Sequence, residues 1–303
     1  MKNFVSTVLV FLLMLTPVYG GNGLGEIEVP SFQTEMEALK QLEIQQFREL
    51  HELKKLEKLN QIREIRQRLE ALQVTNTEEF GEEVDEYTSI LKELGYYKQD
   101  DDSAEEINNR NALIRFQSDH NLIVDGLFGS KSNETLLKRL KDDDFKHRDT
   151  INEAPTEEKW IVVNKTKRIL TLYRGSQVIK KYPIAQGKLS NLTPEGKFSI
   201  VSKVINPMWG GAGIAQPVAG GSPKNPLGYR WMGLSIDGGS SYGIHGNNSP
   251  ESIGTNASMG CIRMINSDVE ELYNLVSMKT IVWIGTDEQL KEWGIDQTSY
   301  IKR

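Results

Sequence analysis

The sequence predicts a multi-domain chain: a mainly-β domain, sandwich or barrel with few helices, preceded by a small all-α module and a long N-terminal helix. Three observations predict it. The β domain rests on short runs rich in β-branched and aromatic residues, among them Trp160-Ile161-Val162-Val163, Ile169-Leu170-Thr171-Leu172-Tyr173 and Thr280-Ile281-Val282-Trp283-Ile284. Turn-forming residues at Asn164-Lys165, Arg174-Gly175 and Pro194-Glu195-Gly196 separate the strands. The long helix rests on a stretch over 31–75, dense in Glu, Gln, Lys, Arg and Leu, with no Gly or Pro from Ser31 to Gln73. The module rests on amphipathic runs within 84–141 that glycines close.

Taken in order, residues 1–20 read as an export signal peptide, with Lys2 ahead of an apolar stretch from Phe4 to Leu15, then Pro17 and Gly20. The apolar run falls short of the roughly 18 residues a spanning helix needs. Cleavage near Gly20 is therefore expected, with no stable membrane span afterwards. No cysteine follows the signal, which excludes a lipoprotein.

Over 31–75, Leu50, Leu53, Leu56, Leu59, Ile62 and Ile65 recur every third residue, whereas a coiled-coil seam alternates three and four. The stripe drifts around the helix. Packing on other parts of the protein, a spacer role and self-association through this helix as a coiled coil all stay open. Within 84–141, Tyr87 to Leu94 ends at Gly95, a second run carries Ala112 to Gln117, and a third ends at Leu140. The leucines, Ile114 and Phe116 are expected to fill a small core. Residues 142–158 are polar and contain Pro155, which suggests a mobile linker. The β domain then spans 159–286, and 287–303 form a C-terminal tail.

Inside the β domain, Ser267 to Val276 places Val269, Leu272, Tyr273 and Val276 at helical spacing, with Ser267 or Asp268 as N-cap. This helix should pack on the sheet. Asn206 to Gly228, rich in Gly and Pro and holding Met208 and Trp209, is too long for a hairpin. It is either a wall or lid over a substrate, or a plain surface loop.

Composition excludes some functions. The net charge is −6, and acidic residues are dense between Glu78 and Glu106, which disfavours nucleic acid. His51, His120, His147 and His245 are scattered without ligand spacing, so no metal and no cofactor are expected.

The chemistry concentrates at Cys261, the only cysteine. A lone thiol forms no internal disulfide, which leaves it as a nucleophile or as buried filler. Ser258-Met259-Gly260 precede it, Arg263 follows by two positions, and Ile244-His245-Gly246 lies a short loop upstream. His245 is the histidine nearest in sequence and the candidate base, and the N–H groups of Gly260 and Cys261 are candidate oxyanion donors.

His245-Gly246 followed by Ser258-Met259-Gly260-Cys261-Ile262-Arg263 resembles the signature of the L,D-transpeptidases, the YkuD-like enzymes of bacterial cell walls. The likeness extends over about 160–285, through Tyr182-Pro183-Ile184-Ala185 and the turn Thr193-Pro194-Glu195-Gly196-Lys197-Phe198. The family usually has histidine where this chain has Met259. The resemblance implies a catalytic set of Cys261, His245 and Gly246, the last lending a backbone carbonyl that orients the imidazole. It implies an oxyanion and substrate-binding set of Gly260, Met259, Arg263 and Ser258. Arg263 would pair with a substrate carboxylate or stabilise the fold.

The implied reaction cross-links peptidoglycan stem peptides through a thioester on Cys261. The alternatives are an L,D-carboxypeptidase that trims tetrapeptide stems and a non-catalytic wall-binding scaffold. The module over 84–141 resembles the three-helix peptidoglycan-binding fold, with Gly95-Tyr96-Tyr97, Phe116-Gln117 and Asp125-Gly126-Leu127-Phe128-Gly129. Asp100-Asp101-Asp102-Ser103 stands where that family has a second Asp-Gly turn. The implied partners are stem peptides and glycan, in the envelope of a bacterium, either cell wall or periplasm.

Overall fold

The runs Trp160–Val163, Ile169–Tyr173 and Ile281–Ile284 bury nearly every side chain they carry, and in the computed structural model of the chain they help close a barrel. The structure describes residues 39–53, 80–100, 104–142 and 145–300, with single helical positions at 36, 37, 56, 60 and 64. The expected signal over 1–20 and most of the expected helix beyond 53 lie outside the described residues. The described part of that helix, α1 (39–53), is helical, with Leu50 and Leu53 exposed. Among the described residues, no helix is long and apolar enough to cross a membrane.

The strands are β1 (Thr150–Ile151), β2 (Lys159–Asn164), β3 (Ile169–Arg174), β4 (Gln177–Gly187), β5 (Gly196–Ile205), β6 (Arg230–Leu234), β7 (Gly243–His245), β8 (Asn256–Ser258), β9 (Ile262–Met264), β10 (Ile281–Gly285) and β11 (Ile295–Asp296). Neighbours run β3-β2-β10-β5-β6-β7-β9-β4-β8, and β4 also pairs with β3, which completes the ring. Strand β4 does this by length. Its first part, Gln177 to Pro183, lies on β3, while Ile184 and Ala185 lie on β9 and Gln186 and Gly187 on β8.

Alternation sorts the side chains into two cores, because successive residues of a strand face opposite ways. Ile161, Val163, Leu170, Leu172, Ile200, Met232, Ile244, Ile262 and Val282 fill the first, closed by α5 (Asn266–Leu275) through Val269 and Leu272, with Val276 just beyond it. Each such burial contributes about 1.5–3 kcal/mol. The alternate residues Trp160, Val162, Tyr173 and Trp283 form the second core, against Leu290 and Ile295. The segment expected as a tail is therefore part of the fold. It holds α6 (Asp287–Glu292), started by a capping box at Thr286, and β11, which pairs with β1.

The module has its three helices, α2 (Phe80–Glu93), α3 (Glu105–Asp119) and α4 (Ser130–Arg139), around Ile90, Leu91, Leu113, Phe116 and Leu136. Gly95, at φ +83°, makes the left-handed turn that ends α2. Ile114 departs from expectation. It packs outward with Val124 on Ile169, Ala185, Ile253 and Ile265 of the barrel, because the opposite face of α3 already fills the module.

Charge ties the same junction. Arg115, 7% exposed, donates to Asp100 at 2.8 Å and to Asp268 at 3.0 Å, and Ser267 hydrogen-bonds Asp100. Neither Ser267 nor Asp268 caps α5, which begins at Asn266 without a side-chain cap; both turn to the module. The expected mobile linker is pinned too. Asp149 pairs with buried Lys181 at 2.6 Å, β1 joins β11, and the Phe145 ring lies 4.7 Å from that of His120. Asp149 and Phe145 make these contacts, while Lys146, Arg148, Glu153, Glu157 and Glu158 stay exposed to water.

Candidate active site

Strands β7 and β9 run parallel as neighbours, with His245 in register with Arg263. Cys261 lies two residues before Arg263, so the period of two sends all three side chains to one face. Cys261 immediately precedes β9 and His245 ends β7, so the pairing of these strands brings the two residues onto neighbouring stretches of chain. Both line one cavity of about 820 Å³. A second cavity, about 790 Å³ between the module and the C-terminal segment, holds none of the expected site residues.

The His245 ring is fixed from two sides. Its Nδ1 lies 2.7 Å from the Gly246 carbonyl, and the Trp231 ring stacks on it with centroids 5.7 Å apart. A carbonyl only accepts, so Nδ1 carries the proton and Nε2 holds a lone pair. Burial pushes the imidazole down to about 4; the Gly246 bond opposes this and the Arg263 charge adds to it. At neutral pH the ring is uncharged.

The thiol is uncharged as well. Burial pushes Cys261 up, more than a hydrogen bond from the Gly243 backbone and the charge of Arg263 bring it down. Its S–H reaches the Ser241 carbonyl at 3.5 Å. The resting pair is thiol and imidazole, not thiolate and imidazolium.

The nucleophile loop is tied locally. Ser258 Oγ donates to the Cys261 carbonyl at 2.6 Å and accepts from the Gly260 N–H at 3.0 Å. This corrects the expectation that Gly260 offers its N–H to an oxyanion, since that donor is already engaged. Among the described residues nothing accepts from the Cys261 N–H. Met259, 69% exposed, stands at the rim of the cavity. The loops around base and nucleophile are locked together, as Asn247 Nδ2 donates to the Met264 carbonyl at 2.6 Å and Asn266 Nδ2 to the Asn247 carbonyl at 2.9 Å.

Among the described residues that line the cavity, Arg263 is the one charged side chain, His245 being neutral, and none is a carboxylate. Its Nε is buried without a partner. The long loop supplies the apolar side through Pro207, Met208, Trp209, Ile214 and Leu227, held by mutual backbone bonds of Trp209 and Val218 at 2.9 Å. It is a wall. Fully buried Asn225 braces it by donating to the Pro207 and Ala219 carbonyls at 2.7 and 3.1 Å.

Trp231 and Ser241 belong to the site yet carry no motif. Each reaches it from a different strand or loop, and only the pairing of β6 with β7 brings Trp231 opposite His245. Among the described residues no group of three or more His, Cys, Asp or Glu side chains could hold a metal ion.

A β barrel with one thiol and one backbone-oriented imidazole at the floor of a cationic, carboxylate-free cleft defines a class of cysteine-bearing barrels. The model of the L,D-transpeptidase catalytic domain matches residues 158–284. A putative L,D-transpeptidase of Bacillus subtilis, YqjB, is 40% identical over 149 residues, 48% of this chain and 82% of the relative. Another from Bacillus licheniformis, YkuD, is 43% identical over 124 residues, 41% of this chain and 64% of the relative. The crystal structure of an L,D-transpeptidase from Xylanimonas cellulosilytica aligns at 20% identity with a TM-score of 0.47, over 67% of this chain and 93% of that one. The chain belongs to the L,D-transpeptidase family.

Proposed function

We propose that the protein is a peptidoglycan L,D-transpeptidase that forms cross-links between stem peptides through a thioester on Cys261. The observation that carries this is the convergence on one cleft of Cys261, His245 and Arg263, whose Nε has no partner among the described residues. A guanidinium in a cleft without carboxylates favours an anionic substrate. A stem peptide, which ends in carboxylates, is one.

The chemistry follows from two neutral partners. Attack of Cys261 sulfur on the carbonyl carbon of the third residue passes the thiol proton to His245 Nε2. The oxyanion forms against the Cys261 N–H. Collapse expels the terminal D-amino acid, whose nitrogen takes the proton from Nε2, and leaves the thioester. The side-chain amine of a second stem then attacks, His245 takes its proton, and the thiol is restored. Met259 and the wall of Pro207 to Leu227 hold the stem's apolar portions, and its site of action is the exported, cell-wall face of a bacterium.

Incubation of purified protein with disaccharide tetrapeptides, followed by mass spectrometry, tests the reading. The expected products are a cross-linked dimer and free D-amino acid, with an acyl adduct on Cys261. Tripeptide without dimer would move the assignment to carboxypeptidase. Unchanged tetrapeptide and an unmodified thiol would remove the enzyme altogether.

A further inference from the structure

We infer that Thr193 is a positioning residue that aims the Cys261 N–H at the developing oxyanion, an inference that rests on the thiol acylation proposed above. A trans peptide holds its C=O and its N–H in one plane, pointing in opposite directions. Among the described residues no peptide bond is cis. Whatever fixes the Gly260 carbonyl therefore fixes the direction of the Cys261 N–H.

Thr193 fixes it. Its hydroxyl donates to the Gly260 carbonyl at 3.0 Å and accepts from the Gly187 N–H at 2.9 Å. With the residue only 2% exposed, no water competes and the hydroxyl has no second orientation to visit. Gly260 itself adopts φ +134°, and a Cβ there would lie 2.5 Å from the Leu192 carbonyl oxygen and 2.7 Å from the Tyr242 ring. The peptide is held by its neighbours and has no side chain of its own to hold it. Because Ser258 engages the N–H before this peptide plane and the C=O after it, the Cys261 N–H is the donor left over.

Thr193 is in turn anchored. Lys165, 6% exposed, donates from Nζ to the Thr193 carbonyl at 2.8 Å and to the Ser190 carbonyl at 2.7 Å, and pairs with Glu195 at 2.6 Å. The end of β4 is pressed on the same turn, since a Cβ at Gly187 would lie 2.7 Å from that of Leu192 and 3.0 Å from the Thr193 nitrogen. The turn that leads into β5 thus reaches across to the nucleophile and acts without touching substrate.

The experiment compares two reactions of the same sulfur. Acylation by p-nitrophenyl acetate builds an oxyanion; alkylation by iodoacetamide is displacement at a saturated carbon and builds none. Removing an oxyanion donor outright costs about 10²–10³-fold, so Thr193→Val, which misdirects the donor, is expected to slow acylation by at least tenfold. It should leave the alkylation rate within about twofold, and Thr193→Ser, which keeps the hydroxyl, should restore acylation.

Thr193→Val acylating at the wild-type rate would overturn the inference, as would acylation and alkylation falling by the same factor, or Thr193→Ser failing as badly as Thr193→Val. Wild-type protein that accepts the acetyl group but leaves stem peptides untouched would instead overturn the proposed substrate, with Thr193 still judged on the ester.

Discussion

Acidification from pH 7 to pH 4 is the perturbation that bears most directly on the resting state of the site. Burial holds the His245 imidazole at about 4, against 6.5 for the ordinary side chain. At 1.36 kcal/mol per unit, the difference amounts to about 3 kcal/mol. Between those two values the unfolded chain binds a proton at this position and the folded chain does not. Stability therefore rises with pH across that window, is complete above about 6.5, and is lost as pH falls toward 4. Catalysis should follow the folded value, because Nε2 remains a base until it is protonated. The acid limb of kcat/KM for stem peptides is expected near pH 4, where an exposed imidazole would place it near 6.5. NMR titration of His245 should give the same value without substrate, and urea melts of wild type and His245→Gln at pH 7 and 4.5 should isolate its share of the stability. An acid limb at 6.5, with the ring titrating there, would refute the neutral thiol–imidazole pair.

Two further outcomes are expected. Arg115→Ala strands Asp100 and Asp268, 4% and 1% exposed, and should cost about 3–5 kcal/mol in urea unfolding, with much of the loss recovered when Arg115→Met is combined with Asp100→Asn and Asp268→Asn. Burial tends to raise the Asp100 pKa, but Arg115, Ser267 and Asn111 outweigh it and hold the carboxyl below its usual range, so its contribution is complete above about pH 4 and fades below. Arg263→Gln should raise KM tenfold or more for stems with a free carboxylate near the scissile bond, since hydrogen bonds to charged groups are worth about 1.5–3 kcal/mol, and should change KM little for amidated stems.

The parts legible in the sequence are those whose physics is local. Strand runs such as Ile169 to Tyr173 announce themselves by residue type, and Cys261 with His245 by being the sole thiol and the nearest base. What stayed hidden depends on contacts across long stretches of chain. Ile114 carries the same apolarity whether it faces its own module or the barrel, and only the packing on Ile169 and Ile265 decides. Ser267 has the composition of an N-cap, but Asp100, 167 residues earlier, takes its hydroxyl. Gly260 looked like an oxyanion donor because the competing acceptor, Ser258 Oγ, is a rotamer choice that sequence does not display. The segment before the barrel is polar enough for a mobile linker, yet Lys181 awaits Asp149 in a fully buried position.

That pinned segment changes how the helical module can serve the thiol. The described residues of the module and the barrel fall in one compact unit, so the span from the module to Cys261 is set by packing and does not vary with the random walk of a tether. A floppy leash would let the nucleophile sample every stem within its radius. A rigid mount would work as a gauge: were the module to hold a glycan strand, its stems would be offered at fixed intervals, and only one arriving at the right interval and rotation would meet the sulfur.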